Sequence, residues 1–138
     1  MNPKFWGPEA WIFLHSITMN YPKNPTEKDR QVYTTFFNAL QNILPCEKCA
    51  YNYSRNLQEH PIEEALDNRD SMVQWLITIH NEVNKETGKE LYTYDQVIEK
   101  YNYKMMNLQT DPTMIYKVII VCLVMIVVFM CKFAKKLW

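Results

Sequence analysis

Residues 26–57 read TEKDRQVYTTFFNALQNILPCEKCAYNYSRNL, and the spacing in this stretch decides the fold class. Thr26-x-x-Asp29 has the form of a capping box, in which two side chains satisfy the free N–H groups of a helix start. Tyr33, Phe36, Phe37, Leu40 and Leu44 then fall on one stripe of an α-helix. Pro45 ends that helix and opens the next, which carries Cys46, Cys49, Tyr53 and Leu57 on one face. Nothing here alternates with the two-residue period of a strand.

The same period continues on both sides. Upstream, Gly7-Pro8-Glu9 looks like a helix start, with Trp11, Leu14, His15 and Thr18 on one stripe up to about Asn20. Pro22 and Pro25 then break the chain. Downstream, His60-Pro61 stops the cysteine-bearing helix, and a short acidic turn covers Ile62 to Leu66. Asp70 is placed to cap a further helix whose stripe is Met72, Leu76, Ile79 and Val83, and Gly88 suits its C-terminal end. A short helix over Tyr94 to Tyr101 remains. The expected fold is all-α: a four-helix bundle plus a short fifth helix.

The chain has 138 residues, enough for one domain with a core. Its 15 basic and 15 acidic side chains cancel, but unevenly: through Asp111 there are 11 bases against 15 acids, and beyond it four lysines and no acid. An acidic body lacks the basic face that nucleic acid requires. Only Gly7 and Gly88 are glycines, which excludes a P-loop or a GxGxxG dinucleotide cradle. The N-terminus has no apolar h-region, so no signal peptide is expected.

Residues 114–134 are expected to form a transmembrane helix. Met114 to Phe133 is a run of 20 residues, and at 1.5 Å per residue about 30 Å, the thickness of a bilayer's hydrocarbon core. Lys117 and Lys132 sit near its ends, where they can snorkel. Positive charges before and after it tie, so charge counting sets no orientation. A span so near the C-terminus is expected to insert after synthesis, leaving the N-terminal domain on the cytosolic side of the membrane. The expected organisation is a domain over 1–101, a polar linker over 102–113, the span over 114–134 and a short basic tail over 135–138.

Chemistry concentrates in the cysteines. Cys122 and Cys131 lie nine residues apart inside the apolar run, about 13 Å along a helix, too far to pair within it. Cys46-Glu47-Lys48-Cys49, a C-x-x-C at a helix start, has the form of a redox disulfide, because the helix N-terminus and Lys48 both favour a thiolate. Half of a zinc site, or two buried cysteines, are the other readings. His15, His60 and His80 offer no zinc-finger spacing, and no second C-x-x-C exists. A thioredoxin fold needs strands that are missing. His80 and Asn84 share a face of the fourth helix next to Val83, and Trp6, Trp11 and His15 cluster on the first. Polar groups on an apolar face need a partner, whether a ligand, a core neighbour or a dimer seam.

Taken in order, Trp6-Gly7-Pro8, Trp11-x-x-Leu14-His15, Tyr21-Pro22, Pro45-Cys46-x-x-Cys49 and His80-Asn81-x-Val83-Asn84-x-x-x-Gly88-Lys89 resemble the Erv/ALR family of FAD-dependent sulfhydryl oxidases over residues 4–101. The resemblance implies a helical bundle holding FAD, usually as a homodimer. It implies that Cys46 and Cys49 are catalytic. Trp6, Trp11, His15 and Tyr21 would line the flavin pocket, Tyr53 would pack near the isoalloxazine, and His80, Asn81, Val83, Asn84 and Lys89 would hold the adenine, ribose and phosphates. No metal is implied. Electrons would pass from protein dithiols through the Cys46–Cys49 disulfide to FAD and on to O₂, giving H₂O₂. Two departures stand out: the segment Glu90 to Tyr94 lacks the structural cysteine many members carry, and Tyr101 stands where many have tryptophan. A separate shuttle C-x-x-C is also missing, so a thioredoxin-like or C-x-x-C partner is implied. The short form is similar to the thiol oxidases of large cytoplasmic DNA viruses, which serve virion proteins. Two other classes fit the bare pattern: a tail-anchored, zinc-stapled interaction module and a cofactor-free helical adaptor.

Overall fold

The computed structural model describes residues 1–109 and 112–137, and all regular secondary structure among these residues is helical. Its helices are α1 (Pro3–Met19), α2 (Glu27–Ile43), α3 (Glu47–Glu59), α4 (Arg69–Thr87), α5 (Tyr94–Gln109) and α6 (Pro112–Leu137), with a single 3-10 turn over Ile62–Ala65 between α3 and α4. Contacts divide the chain into two units, Met1–Val97 and Ile98–Trp138.

In the first unit α1 packs on α4, α2 on α3, and α3 on α4. The stripes that the spacing marks out are the faces that close the core: Phe37, Met72, Leu76 and Ile79 have no exposed surface, and Leu14, Leu40 and Leu57 are buried. Full burial of side chains of this size stabilises by about 1.5–3 kcal/mol each. The capping box at Thr26 and Asp29 is present in both directions. Leu44, the residue before Pro45, leaves the helix with ψ 129°, because a following proline disfavours the helical region. Gly88 closes α4 at φ 66°, a left-handed conformation costly for any residue with a Cβ.

Helix starts differ from expectation in two places. α1 begins at Pro3 rather than at Gly7-Pro8: the Asn2 side chain accepts from the Lys4 N–H and Pro3 supplies a preset φ, so Pro8 lies inside the helix. α4 is capped by Asn68, whose side chain accepts from the Ser71 N–H at 3.0 Å, and Asp70 sits in the first turn, accepting from the Tyr94 hydroxyl at 3.2 Å.

The second unit also differs. α5 continues to Gln109 through residues expected to be linker, since no glycine or proline interrupts Asn102 to Gln109. The expected transmembrane helix over 114–134 is not met among the described residues: none of their helices is long and apolar enough to cross a membrane. Cys131 and the basic tail lie outside the described side chains; Cys122 is exposed and outside any disulfide.

Candidate active site

Cys46 occupies the N-cap of α3. Pro45 and the extended backbone at Cys46 (φ −156°, ψ 111°) turn the chain into the helix, so the two cysteines fall one turn apart with a Cα–Cα distance of 5.2 Å. They form a disulfide. The Cys49 backbone N–H donates to Cys46 Sγ at 3.3 Å. A helix N-terminus stabilises negative charge on a sulfur placed in this way. Both residues are half-buried, so exposure does not rank them. An open groove of about 490 Å³, lined by Met1, Leu44, Pro45, Cys46 and Glu47, reaches Cys46.

A second cluster joins α1 to α4. His80 stacks on Trp11 with ring centroids 3.8 Å apart and planes 7° from parallel, and its Nδ1 lies 3.1 Å from Nε2 of His15. His15 is buried and His80 half-buried. The spacing that put His15 with Trp11 and His80 with Asn84 therefore describes two halves of one constellation. Asn84 is buried, and its Nδ2 has no hydrogen-bond partner among the described residues; the same holds for Nε1 of half-buried Trp6.

Three candidates also make contacts within the protein. The Asn81 carboxamide donates to the Tyr92 carbonyl at 2.8 Å and accepts the Tyr92 N–H at 2.9 Å, pinning the segment after Gly88 to α4. That uses half of its donors and acceptors. Tyr21 is fully buried in the core, its hydroxyl donating to the Leu66 carbonyl at 2.9 Å, and burial raises its pKa above the ordinary phenol value. Tyr53 donates to the Phe37 carbonyl at 3.0 Å, and desolvation holds it neutral well above the usual range. Val83 is half-buried, and Lys89 is exposed beyond the end of α4.

Asn56 is a residue the sequence reading passed over. It is 1% exposed on α3, and neither its Nδ2 nor its Oδ1 has a partner among the described residues. Its signal was its spacing: Asn56 continues the face of Cys49 and Tyr53.

A disulfide at a helix N-terminus, in an all-helical domain with a buried aromatic and histidine cluster, sets the chain apart from thioredoxin-like proteins, whose motif sits among strands. The sequence profile of the Erv1 / Alr family matches residues 8–102, and the chain belongs to that family. It is 46% identical over 100 residues to a probable FAD-linked sulfhydryl oxidase of Acanthamoeba polyphaga mimivirus, covering 72% of this chain and 70% of that protein. It is 31% identical over 86 residues to the mitochondrial FAD-linked sulfhydryl oxidase erv1 of Schizosaccharomyces pombe, covering 62% of this chain and 47% of that protein. The chain thus spans most of the viral relative and about half of the cellular one. Among solved structures, the FAD-binding domain of Erv1 from Saccharomyces cerevisiae superposes with a TM-score of 0.64 at 28% identity, covering 67% of this chain and 87% of that one.

Proposed function

We propose that the chain is an FAD-dependent sulfhydryl oxidase that makes disulfides in protein substrates. The observation that carries this is the Cys46–Cys49 disulfide at the N-terminus of α3 in a member of the Erv1 / Alr family. The residues fit the cofactor. A large flat heteroaromatic ligand with polar edges needs stacking rings and buried polar atoms awaiting partners. Trp11 and His80 supply the rings, and Trp6 Nε1, Asn84 Nδ2 and the Asn56 carboxamide supply the atoms. Trp6, Trp11, His15, His80, Val83 and Asn84 would hold the group, with Lys89 beyond the end of α4 for phosphate.

A substrate thiolate attacks Cys46 Sγ, where the groove gives access. The Cys46–Cys49 bond breaks, Cys49 leaves as a thiolate, and a mixed disulfide joins substrate to Cys46. The substrate's second thiolate attacks that bond, releasing oxidised substrate and the Cys46 thiolate, which the Cys49 N–H stabilises. The chemistry FAD supplies when bound is acceptance of the electron pair from Cys49 and its return to O₂ as H₂O₂. Purified full-length chain tests the reading: it should carry the flavin visible band and produce one H₂O₂ per disulfide formed from a dithiol. A colourless chain that takes up no FAD overturns it.

We also infer a second copy and a membrane. Phe13 and Val32 are exposed, and Phe13 meets Phe36 edge-on, giving α1 and α2 an apolar patch suited to a homodimer. Along α6, Ile119, Ile120, Val121, Leu123, Val124, Met125 and Ile126 are all exposed, which surrounds the helix with apolar surface that hydrocarbon solvates better than water. This supports α6 as a helix that associates with a membrane through its apolar surface. The relatives include viral FAD-linked sulfhydryl oxidases, and we extend the reading to service of virion proteins through a protein dithiol or C-x-x-C partner.

A further inference from the structure

We propose that Asn56 is a flavin-contacting residue whose carboxamide hydrogen-bonds the imide edge of the isoalloxazine, the N3–H and an adjacent carbonyl; this rests on the FAD reading above. Asn56 is 1% exposed, and both polar atoms of its carboxamide lack partners among the described residues. A buried amide with neither donor nor acceptor satisfied is costly, and folds retain one where something fills it.

Position identifies what fills it. Asn56 is seven residues beyond Cys49, two helical turns on the same face, or about 10 Å along the axis. α3 is tied to α4 by Asn52 and Arg55, which both donate to Glu86, and by the Trp75 indole N–H, which donates to the His60 carbonyl at 2.9 Å. These ties run antiparallel and flank Asn56, setting it level with the middle of α4, where His80 and Asn84 lie. Asn84 is 3% exposed and its Nδ2 also lacks a partner among the described residues, so two buried carboxamides enter the bundle from facing helices.

Chemistry selects the edge. A carboxamide offers a donor beside an acceptor, and its complement is a donor beside an acceptor in the same plane. FAD has two such edges, the isoalloxazine imide and the adenine amino edge. Only the isoalloxazine has to lie within reach of Cys49, and Asn56 shares the Cys49 face. An N–H donated to a flavin carbonyl favours the electron-rich reduced ring, so Asn56 also raises the midpoint potential.

The test uses the full-length holoenzyme and Asn56→Leu, which keeps the volume and removes both polar atoms. FAD release and midpoint potential are measured with FAD, with N3-methyl-FAD, which lacks the imide N–H, and with etheno-FAD, whose adenine edge is blocked. With FAD, the variant should bind about tenfold more weakly, the scale of one or two buried hydrogen bonds, and have a more negative potential. With N3-methyl-FAD, which loses the N3–H but keeps the carbonyl, the gap should shrink, and with etheno-FAD the tenfold gap should persist. A gap left undiminished by N3 methylation, or one that closes with etheno-FAD, assigns Asn56 elsewhere and overturns the proposal. Equal binding of FAD by both proteins also overturns it, leaving water as the partner. Should the leucine variant not fold, the wild-type protein alone decides, since N3 methylation must weaken its binding. A wild-type chain that binds no FAD defeats the cofactor reading, whereas binding without the predicted pattern defeats only the role of Asn56.

Discussion

Nδ1 of His80 lies 3.1 Å from Nε2 of His15, so one ring donates to the other across the α1–α4 contact while Trp11 stacks on His80. The contact fixes which ring face and edge are left for a ligand. His80→Phe keeps the stack and removes the bond. FAD should then bind about tenfold more weakly, and the effects of His80→Phe and His15→Phe should fall short of additive, with a coupling of about 0.5–3 kcal/mol. Dissociation constants for the two single variants and the double variant check this. Fully additive losses would show that the two rings act independently.

Asn81 binds the backbone of Tyr92 from both sides, so it should act on stability before it acts on the cofactor. Asn81→Ala frees one N–H and one carbonyl, each bond contributing about 1 kcal/mol. The variant should unfold at lower denaturant, and the amide of Tyr92 should exchange hydrogen faster, with α2 and α3 unaffected. An unchanged Tyr92 exchange rate would contradict the pinning role.

Most of the first unit was legible because its signals are local. The stripe Phe37, Leu40 and the stripe Met72, Leu76, Ile79 follow the helical period, and the Thr26 box needs only three residues. The start of α1 was misread because proline and glycine look like a boundary. Pro8 lies in the second turn, where its missing N–H leaves one helical bond, to the Lys4 carbonyl, unmade. Asn68 and Asp70 are equally good caps in isolation, and only packing chose between them. The joining of His15 to His80 is tertiary and invisible to spacing, although each half was visible. Asn56 was missed because asparagine on a polar helix is unremarkable until burial is known.

Thr26 and Asp29 make stability depend on acid. The Thr26 hydroxyl, then its backbone N–H, donate to the Asp29 carboxylate at 2.6 and 2.8 Å and lower its pKa from the ordinary value. A carboxyl depressed in the folded state stabilises the fold above its unfolded pKa, about 3.9, and loses that contribution as pH falls below it. Asp29→Ala should therefore lower the melting temperature at neutral pH by a few degrees and flatten its decline below about pH 4. Parallel pH curves for the two proteins would rule this out.

The anchor reading predicts where the chain goes. Full-length protein mixed with lipid vesicles should float with them, and Val124→Asp, near the middle of 114–133, should leave it at the bottom of the gradient. A charge set into that apolar surface opposes its transfer out of water. Equal flotation of both proteins would point to surface adhesion by the first unit.

The division of labour within the cysteine pair is the sharpest test of mechanism. Cys46 caps α3 and opens on the groove, while Cys49 lies one turn further in. Replacing either by serine should abolish dithiol oxidation and leave FAD bound, since the stacking and polar groups of the pocket lie on other residues. The two variants should then part company. In Cys46→Ser, Cys49 remains as a free thiol beside the cofactor, and its ionisation should give a long-wavelength charge-transfer band. In Cys49→Ser, that band should be missing, and Cys46 should trap substrate as a mixed disulfide visible on a non-reducing gel. A band in Cys49→Ser, or full turnover in Cys46→Ser, would reverse the assignment of entry and transfer sulfurs. Full activity in both would remove the disulfide from the reaction altogether.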